Sequence, residues 1–226
     1  MPTGFSPEWE QVYQSGKGIN RYPSSDLIGL VYNYAHANQG YLKFLEIGCG
    51  LGSNAAPIME MSGQVTEWVG VEGSETACQT ARNRTARPVY CMDFTQGLPN
   101  IGPVDCILDR SAMTHNDTVS ILSGLALCYA QLRHGGKYIG VDWFGFDNDD
   151  LCYGEFIDDC TIITNENSSF GNKGKVHLSD IPHLRRLFKK VGFKVERITA
   201  KHYQDHDFTT LPAKRREYFD IVAVKV

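Results

Sequence analysis

The chain has no apolar run near the roughly 20 residues a membrane helix requires, so no membrane association is expected. It has no internal repeat and no low-complexity stretch. Positive charge is scarce: 22 Lys and Arg stand against 26 Asp and Glu, for a net charge of −4. A general nucleic-acid binder needs a basic stripe to displace counterions from phosphates. The cluster Lys214-Arg215-Arg216 reads as a solvated face, and no nucleic-acid partner is expected. The seven cysteines include no Cys-x-x-Cys pair, and none stands with His at zinc-ligand spacing. Asp147, Asp149 and Asp150 lack the spacing of an EF-hand loop, so no metal site is expected. An odd number of cysteines, mostly inside apolar runs, fits free thiols in a reducing cytoplasm. The segment Met1 to Glu8 has neither the basic nor the apolar region of a secretory signal.

What is present is an alternation of short apolar runs and helix-like stretches along 226 residues, enough for one α/β domain. Strands are expected at Tyr41–Ile47, Glu67–Glu72, Val89–Asp93, Val104–Asp109, Lys137–Asp142, Lys194–Thr199 and Tyr218–Val226. Helices are expected at Asn54–Ser62, Glu75–Arg84 behind Ser74 as N-cap, Asp117–Leu132 closed by Gly135-Gly136, and Ile181–Val191 ended by Gly192. Trp143 to about Val176 reads as a long irregular stretch. Strands separated by helices imply right-handed crossovers and a mostly parallel sheet. The last two strands have no helix between them, so an antiparallel C-terminal strand is expected. The fold class is therefore α/β: a single Rossmann-like, seven-stranded, mostly parallel sheet with an antiparallel C-terminal strand and helices on both faces.

In such sheets ligands sit at the carboxyl ends of strands, near the switch point. The first turn reads Glu46-Ile47-Gly48-Cys49-Gly50-Leu51-Gly52. Gly48 and Gly50 let the backbone turn sharply and approach a ligand, while Gly52 lets the following helix pack close. The spacing is Gly-x-Gly-x-Gly rather than the Gly-x-Gly-x-x-Gly of dinucleotide folds, which speaks against a NAD-binding oxidoreductase. A carboxylate ahead of the glycines wants a cation, such as the amino group of S-adenosylmethionine. Glu72 at the end of strand two suits two ribose hydroxyls, and Asp93 with Phe94 after strand three suits an adenine amino group and ring. Asp109 ends strand four, beneath the place of methyl transfer.

Over roughly residues 40–226 the chain resembles class I S-adenosylmethionine-dependent methyltransferases. The motifs are Leu45 to Ser53, Val69 to Glu72, Cys91 to Phe94, Val104 to Arg110, Leu132 to Lys137 and Leu187 to Phe193. Trp9 to Tyr13 with Gly18 to Pro23 is similar to a bacterial subgroup linked to sugar modification. The resemblance implies S-adenosyl-L-methionine as cofactor and S-adenosyl-L-homocysteine as product. It places Glu46, Gly48, Cys49 and Gly50 at the methionine part, Glu72 and Gly73 at the ribose, Asp93 and Phe94 at the adenine, and Asp109 and Arg110 nearby. Arg21 either reaches the methionine carboxylate or makes a surface ion pair. Trp9 and Tyr13, four residues apart, either cover the cofactor from a helix or pack in the core.

Methyl transfer asks the protein for orientation, exclusion of water and sometimes a base. Candidate catalytic residues are His115, Asp109 and Asp142. His115 titrates near neutrality but equally suits a hydrogen bond at the next helix start. Residues 1–38 are expected to form a helical cap, and 143–178 a lid over the acceptor site. From Asp142 to Glu166 there are eight acids and no Lys or Arg, with Trp143, Phe144, Phe146, Tyr153 and Phe156. Such a segment either contacts a sugar or amine acceptor or is a solvated acidic surface. The expected reaction is methylation of a small-molecule acceptor, on a hydroxyl of a sugar or related metabolite. N-methylation of an amine and a non-catalytic cofactor-binding module remain the alternatives.

Overall fold

The computed structural model describes residues 5–17, 19–35, 42–60, 66–149, 153–168, 170–171, 173–206 and 214–226. Gly18, Tyr41, Ser62, Asp150 and Cys152, with residues 1–4 and 36–38 of the expected cap, lie outside the described residues.

Successive strand residues point to opposite faces, and here both faces are apolar. In β1 (Leu42–Ile47) Phe44 enters one core and Leu45 the other. In β4 (Val104–Arg110) Cys106 and Leu108 join Phe44, whereas Ile107 joins Leu45. A sheet of this kind must be covered on both sides. Leu27 and Val31 of α2 (Ser25–Ala35), Ile58 of α3 (Ala55–Glu60) and Ala81 of α4 (Glu75–Thr85) cover one face. Ile121 and Leu125 of α5 (Thr118–Gln131) and Leu184 and Phe188 of α6 (Ile181–Lys190) cover the other. Ser74, Asp117 and Asp180 cap the N-termini of α4, α5 and α6 with side-chain oxygens.

The remaining strands of the sheet are β2 (Thr66–Glu72), β3 (Val89–Cys91), β5 (Leu132–Phe144), β9 (Phe193–Asp205) and β10 (Lys214–Lys225). The order is β3-β2-β1-β4-β5-β10-β9. The first five strands are parallel, and β10 runs antiparallel between β5 and β9. The seven-stranded, mostly parallel α/β sheet is thus the one expected. Chain order reverses between β1 and β4, so their carboxyl ends flank the crevice where such sheets take ligands. Among the described residues no helix is long and apolar enough to cross a membrane.

Two expectations need correction. The stretch after strand five is not irregular: β6 (Gly154–Phe156), β7 (Thr161–Thr164) and β8 (Lys175–His177) form a separate antiparallel sheet. Strands of three or four residues offer too few alternations for a periodic signal. Gly135-Gly136 does not end α5. Leu132 both caps that helix and opens β5, and the glycines sit in a bulge between the pairs Val104–Leu132 and Cys106–Lys137.

Candidate active site

The chain leaves β1 through Gly48, Gly50 and Gly52, with φ of +57°, +53° and +68°. A Cβ on Gly48 would lie 2.2 Å from Ala112 Cβ, and one on Gly50 2.8 Å from Tyr13 Oη. The third glycine serves a different helix from the one expected. Its open side faces Thr85 and Ala81 of α4, not the helix that follows the turn. The turn borders a cavity of about 440 Å³, lined also by Phe144, Phe170 and Tyr218.

Four acids line this cavity, and three of them, Glu46, Glu72 and Asp93, stand around the glycine turn. Glu46, 1% exposed, accepts from Asn54 Nδ2 at 2.7 Å and Trp68 Nε1 at 2.9 Å. Burial pushes its carboxyl up to about 7, against the pull of those two hydrogen bonds and of Arg110. Glu72 accepts backbone N–H groups from Gly50 at 2.9 Å, Gly73 at 2.8 Å and Ser74 at 3.0 Å. It therefore ties the glycine turn to the end of β2, and burial raises its pKa despite these bonds. Asp93 accepts from Thr95 N and Oγ1 through one oxygen and from Phe5 N, at 3.1 Å, through the other. Phe5 lies over Gly73, where a Cβ would sit 2.1 Å from its ring. Cys49, Gly73 and Phe94 complete this end of the cavity.

The catalytic candidates separate sharply. Asp109 is fully buried and does not line the cavity. It accepts from Ala112 N, Met113 N and Tyr138 Oη, fixing the short turn Met113–His115, while desolvation raises its pKa to about 6. An acid so enclosed braces the backbone of this turn. Asp142 lines the cavity in a left-handed conformation, φ +58°. Its carboxylate lies 2.7 Å from Lys201 Nζ and 3.7 Å from Arg110 Nε, so it is an ion-paired anchor. His115 is the candidate left facing the cavity. Its Nδ1 donates to Lys175 O at 3.0 Å, which leaves Nε2 as the lone-pair nitrogen. Trp9 and Phe144 pack edge-on to the ring at 4.8 and 5.4 Å. Desolvation holds its pKa down at about 4, so the imidazole is neutral.

Of the two arginines singled out in the sequence, Arg110 lines the cavity and Arg21 does not. The Arg21 guanidinium lies near Gly16 O, and its neighbours Ile19 and Asn20 face the cavity instead. Trp9 and Tyr13 both reach the cavity from α1 (Glu8–Ser15). Glu10 on the same helix accepts hydrogen bonds from Ser74 Oγ and Thr76 Oγ1, seating it on α4.

The opposite wall was not legible. It is made by Phe144, Phe170 and Lys173 with Tyr203, Arg216 and Tyr218 of the β9–β10 hairpin. Of the described acids from Asp142 to Glu166, Asp142 alone lines the cavity. Asp147 and Asp149 pair with Arg215, and Asp158 accepts from Thr118 N, Cys160 N and Thr161 Oγ1. Trp143 is core, while Tyr153 and Phe156 are exposed. The wall is aromatic, but of the five aromatics expected there it holds Phe144 alone, and its added charges are Lys173 and Arg216 rather than acids.

Residues 44–136 match the methyltransferase domain family. Protein-L-isoaspartate O-methyltransferase of Thermotoga maritima is 27% identical over 133 residues, 56% of this chain, and the chain spans only 39% of that relative's length. A S-adenosylmethionine-dependent methyltransferase of Methanosarcina mazei superposes with a TM-score of 0.68 at 14% identity, covering 87% of this chain and 97% of that one. The 1,6-didemethyltoxoflavin-N1-methyltransferase of Burkholderia thailandensis, solved with its substrate and S-adenosylhomocysteine, also gives 0.68 at 15% identity, with 97% and 86% covered. At such identities the two structures establish the shared fold, and the domain match falls on the glycine turn and the acids after it. Residues 44–136 thus match a methyltransferase domain, and the sheet around them shares the fold of S-adenosylmethionine-dependent methyltransferases.

Proposed function

We propose that this protein transfers a methyl group from S-adenosylmethionine to a hydroxyl of a small, flat, negatively charged acceptor. The residues present suit the donor. Gly48 and Gly50 bring the backbone of the turn to the cavity, and Glu46 is a buried carboxylate whose two hydrogen bonds come from neutral groups. Glu46 takes the ammonium, Arg110 the carboxylate, Glu72 and Gly73 the ribose, and Asp93 with Phe94 the adenine. When bound, S-adenosylmethionine supplies an electrophilic methyl group on a sulfonium. His115 Nε2 accepts the hydroxyl proton, and the Lys175 carbonyl holds the ring in the required tautomer. The described part of the N-terminal segment up to Asn20 acts as a cap, and the described part of 143–178 as the cover of the acceptor, excluding water.

The observation that carries the acceptor reading is Lys173. Lys173 lines the cavity, desolvation lowers its pKa, and no carboxylate offsets that among the described residues. A desolvated cation calls for an anionic ligand. The aromatic wall supplies faces for a planar or sugar ring. The amine alternative drew on the acids of 142–166; of those described, Asp142 lines the cavity and is ion-paired with Lys201.

The test is a panel of small hydroxyl compounds, with and without a carboxylate, assayed by formation of S-adenosylhomocysteine. Turnover should favour the anionic members. Lys173→Met should raise their KM at least tenfold and leave S-adenosylhomocysteine affinity unchanged. Equal turnover of neutral or cationic acceptors would overturn the acceptor reading, and no binding of S-adenosylhomocysteine would overturn the donor reading.

A further inference from the structure

Away from the cavity, the short sheet β6-β7-β8 meets α6 at three side chains. Cys160 precedes β7, His177 ends β8 and His183 lies in the first turn of α6. Their ligand atoms all fall within 4.8 Å of one another. His177 Nε2 faces His183 Nε2 at 2.9 Å, and Cys160 Sγ lies 3.8 Å from His183 Nδ1. His177 is fully buried and His183 is 9% exposed. The sequence concealed this grouping, because sixteen residues separate Cys160 from His177 and five separate His177 from His183.

The surroundings orient the ligands as outer-shell partners do at metal sites. Thr161 Oγ1 donates to Asp158 Oδ2 at 3.0 Å and lies 2.9 Å from His177 Nδ1. Its proton being engaged, the hydroxyl accepts from Nδ1, and His177 Nε2 is left as a lone pair aimed at His183. The other oxygen of Asp158 accepts Cys160 N at 2.8 Å, so one carboxylate sets both ligand-bearing segments. Asp180 fixes His183 by accepting its backbone N–H at 2.6 Å. A second triad, Asp26, Asp142 and Asp220, shows the contrast. Its centre is filled by Lys201 Nζ at 2.8, 2.7 and 2.7 Å, so it has no place for an ion. No Lys or Arg occupies the centre of the Cys-His-His group.

We propose that Cys160, His177 and His183 bind a zinc-class divalent cation that staples the insertion to α6. One thiolate and two imidazoles suit a borderline-soft ion in tetrahedral geometry, with the fourth position open. Metal–nitrogen bonds of about 2.0–2.1 Å at tetrahedral angles require nitrogens about 3.3 Å apart, so the facing rings separate by a few tenths of an ångström. Binding deprotonates the thiol and releases that proton to solvent, while His183 ligates through Nε2 and carries its proton on Nδ1. The insertion also carries Phe170 and Lys173, so the ion would hold one wall of the cavity from outside.

The test loads chelator-treated full-length protein with cobalt(II) as probe. One equivalent should give tetrahedral d–d bands and a thiolate-to-cobalt charge-transfer band. Cys160→Ser should abolish the charge-transfer band, and His177→Gln or His183→Gln should weaken binding at least tenfold. Thr161→Val should weaken it roughly 10- to 100-fold without removing a ligand. Circular dichroism and S-adenosylhomocysteine titration verify that each variant is folded. Absence of the bands in the unmodified protein overturns the proposal, and so does a charge-transfer band that survives in folded Cys160→Ser.

Discussion

The recognition of the donor's amino group can be tested through one proton. Glu46 is raised from the ordinary glutamate value of 4.5 to about 7 by burial. Below pH 7 the free protein therefore carries a neutral acid at the position where the cofactor presents an ammonium. Each proton that must leave before binding makes Kd fall tenfold per pH unit, so affinity for S-adenosylhomocysteine should climb from pH 5 to about 7. The same shift affects folding with a definite sign. The native state keeps a proton that the unfolded chain has lost, so stability owed to Glu46 is complete below pH 4.5. It declines by about 3 kcal/mol as the pH rises to 7. Glu46→Gln abolishes the titration and replaces a charged hydrogen bond by a neutral one, a loss of about 1.5–3 kcal/mol, or roughly 10- to 150-fold in Kd. Isothermal titration from pH 5.5 to 8 measures both effects. A flat profile in the unmodified protein, or an acid limb that persists in Glu46→Gln, would refute the reasoning.

Gly48→Ala should cost about 2–5 kcal/mol in urea unfolding, since it forces φ +57° on alanine and drives its methyl into Ala112; a loss under 1 kcal/mol would contradict the close approach. His115→Gln should lower kcat by about 10²–10⁴ with S-adenosylhomocysteine affinity intact, and kcat of the unmodified enzyme should show no acid limb from His115 above about pH 5, because its pKa is about 4. A drop of less than threefold would remove His115 from the proton path. Lys201→Met leaves Asp142 and the buried Asp220 facing one another, at a cost of about 2–4 kcal/mol. Unchanged thermal stability would show that the triad is relaxed without its lysine.

The glycine-turn side of the cavity was legible because it is local in sequence. A glycine turn, an acid eight residues before Asn54 and an acid at the end of β2 are each defined by a few neighbouring positions. Capping by Ser74, Asp117 and Asp180 was readable for the same reason: one side chain meets a backbone N–H three residues on. The acceptor wall was not, because Phe170, Tyr203, Arg216 and Tyr218 are assembled by tertiary pairing of β9 with β10 and by the insertion. Nothing in their immediate neighbours marks them. Asp109 shows the complementary failure. An acid at a strand end looks the same in sequence whether it faces ligand or braces Tyr138 from within, and only burial distinguishes the two. Gly135-Gly136 misled because a bulge and a helix stop use the same residue type.

The cavity is shared unequally along the chain. Apart from Trp9 and His115, the wall opposite the glycine turn is drawn from residues after Asp142, and the turn and its acids all precede residue 95. Recombination or exchange of the C-terminal third would thus reshape one wall of the cavity while the glycine turn and its acids stay as they are. The insertion and the terminal hairpin form a cassette that can diverge without disturbing that turn.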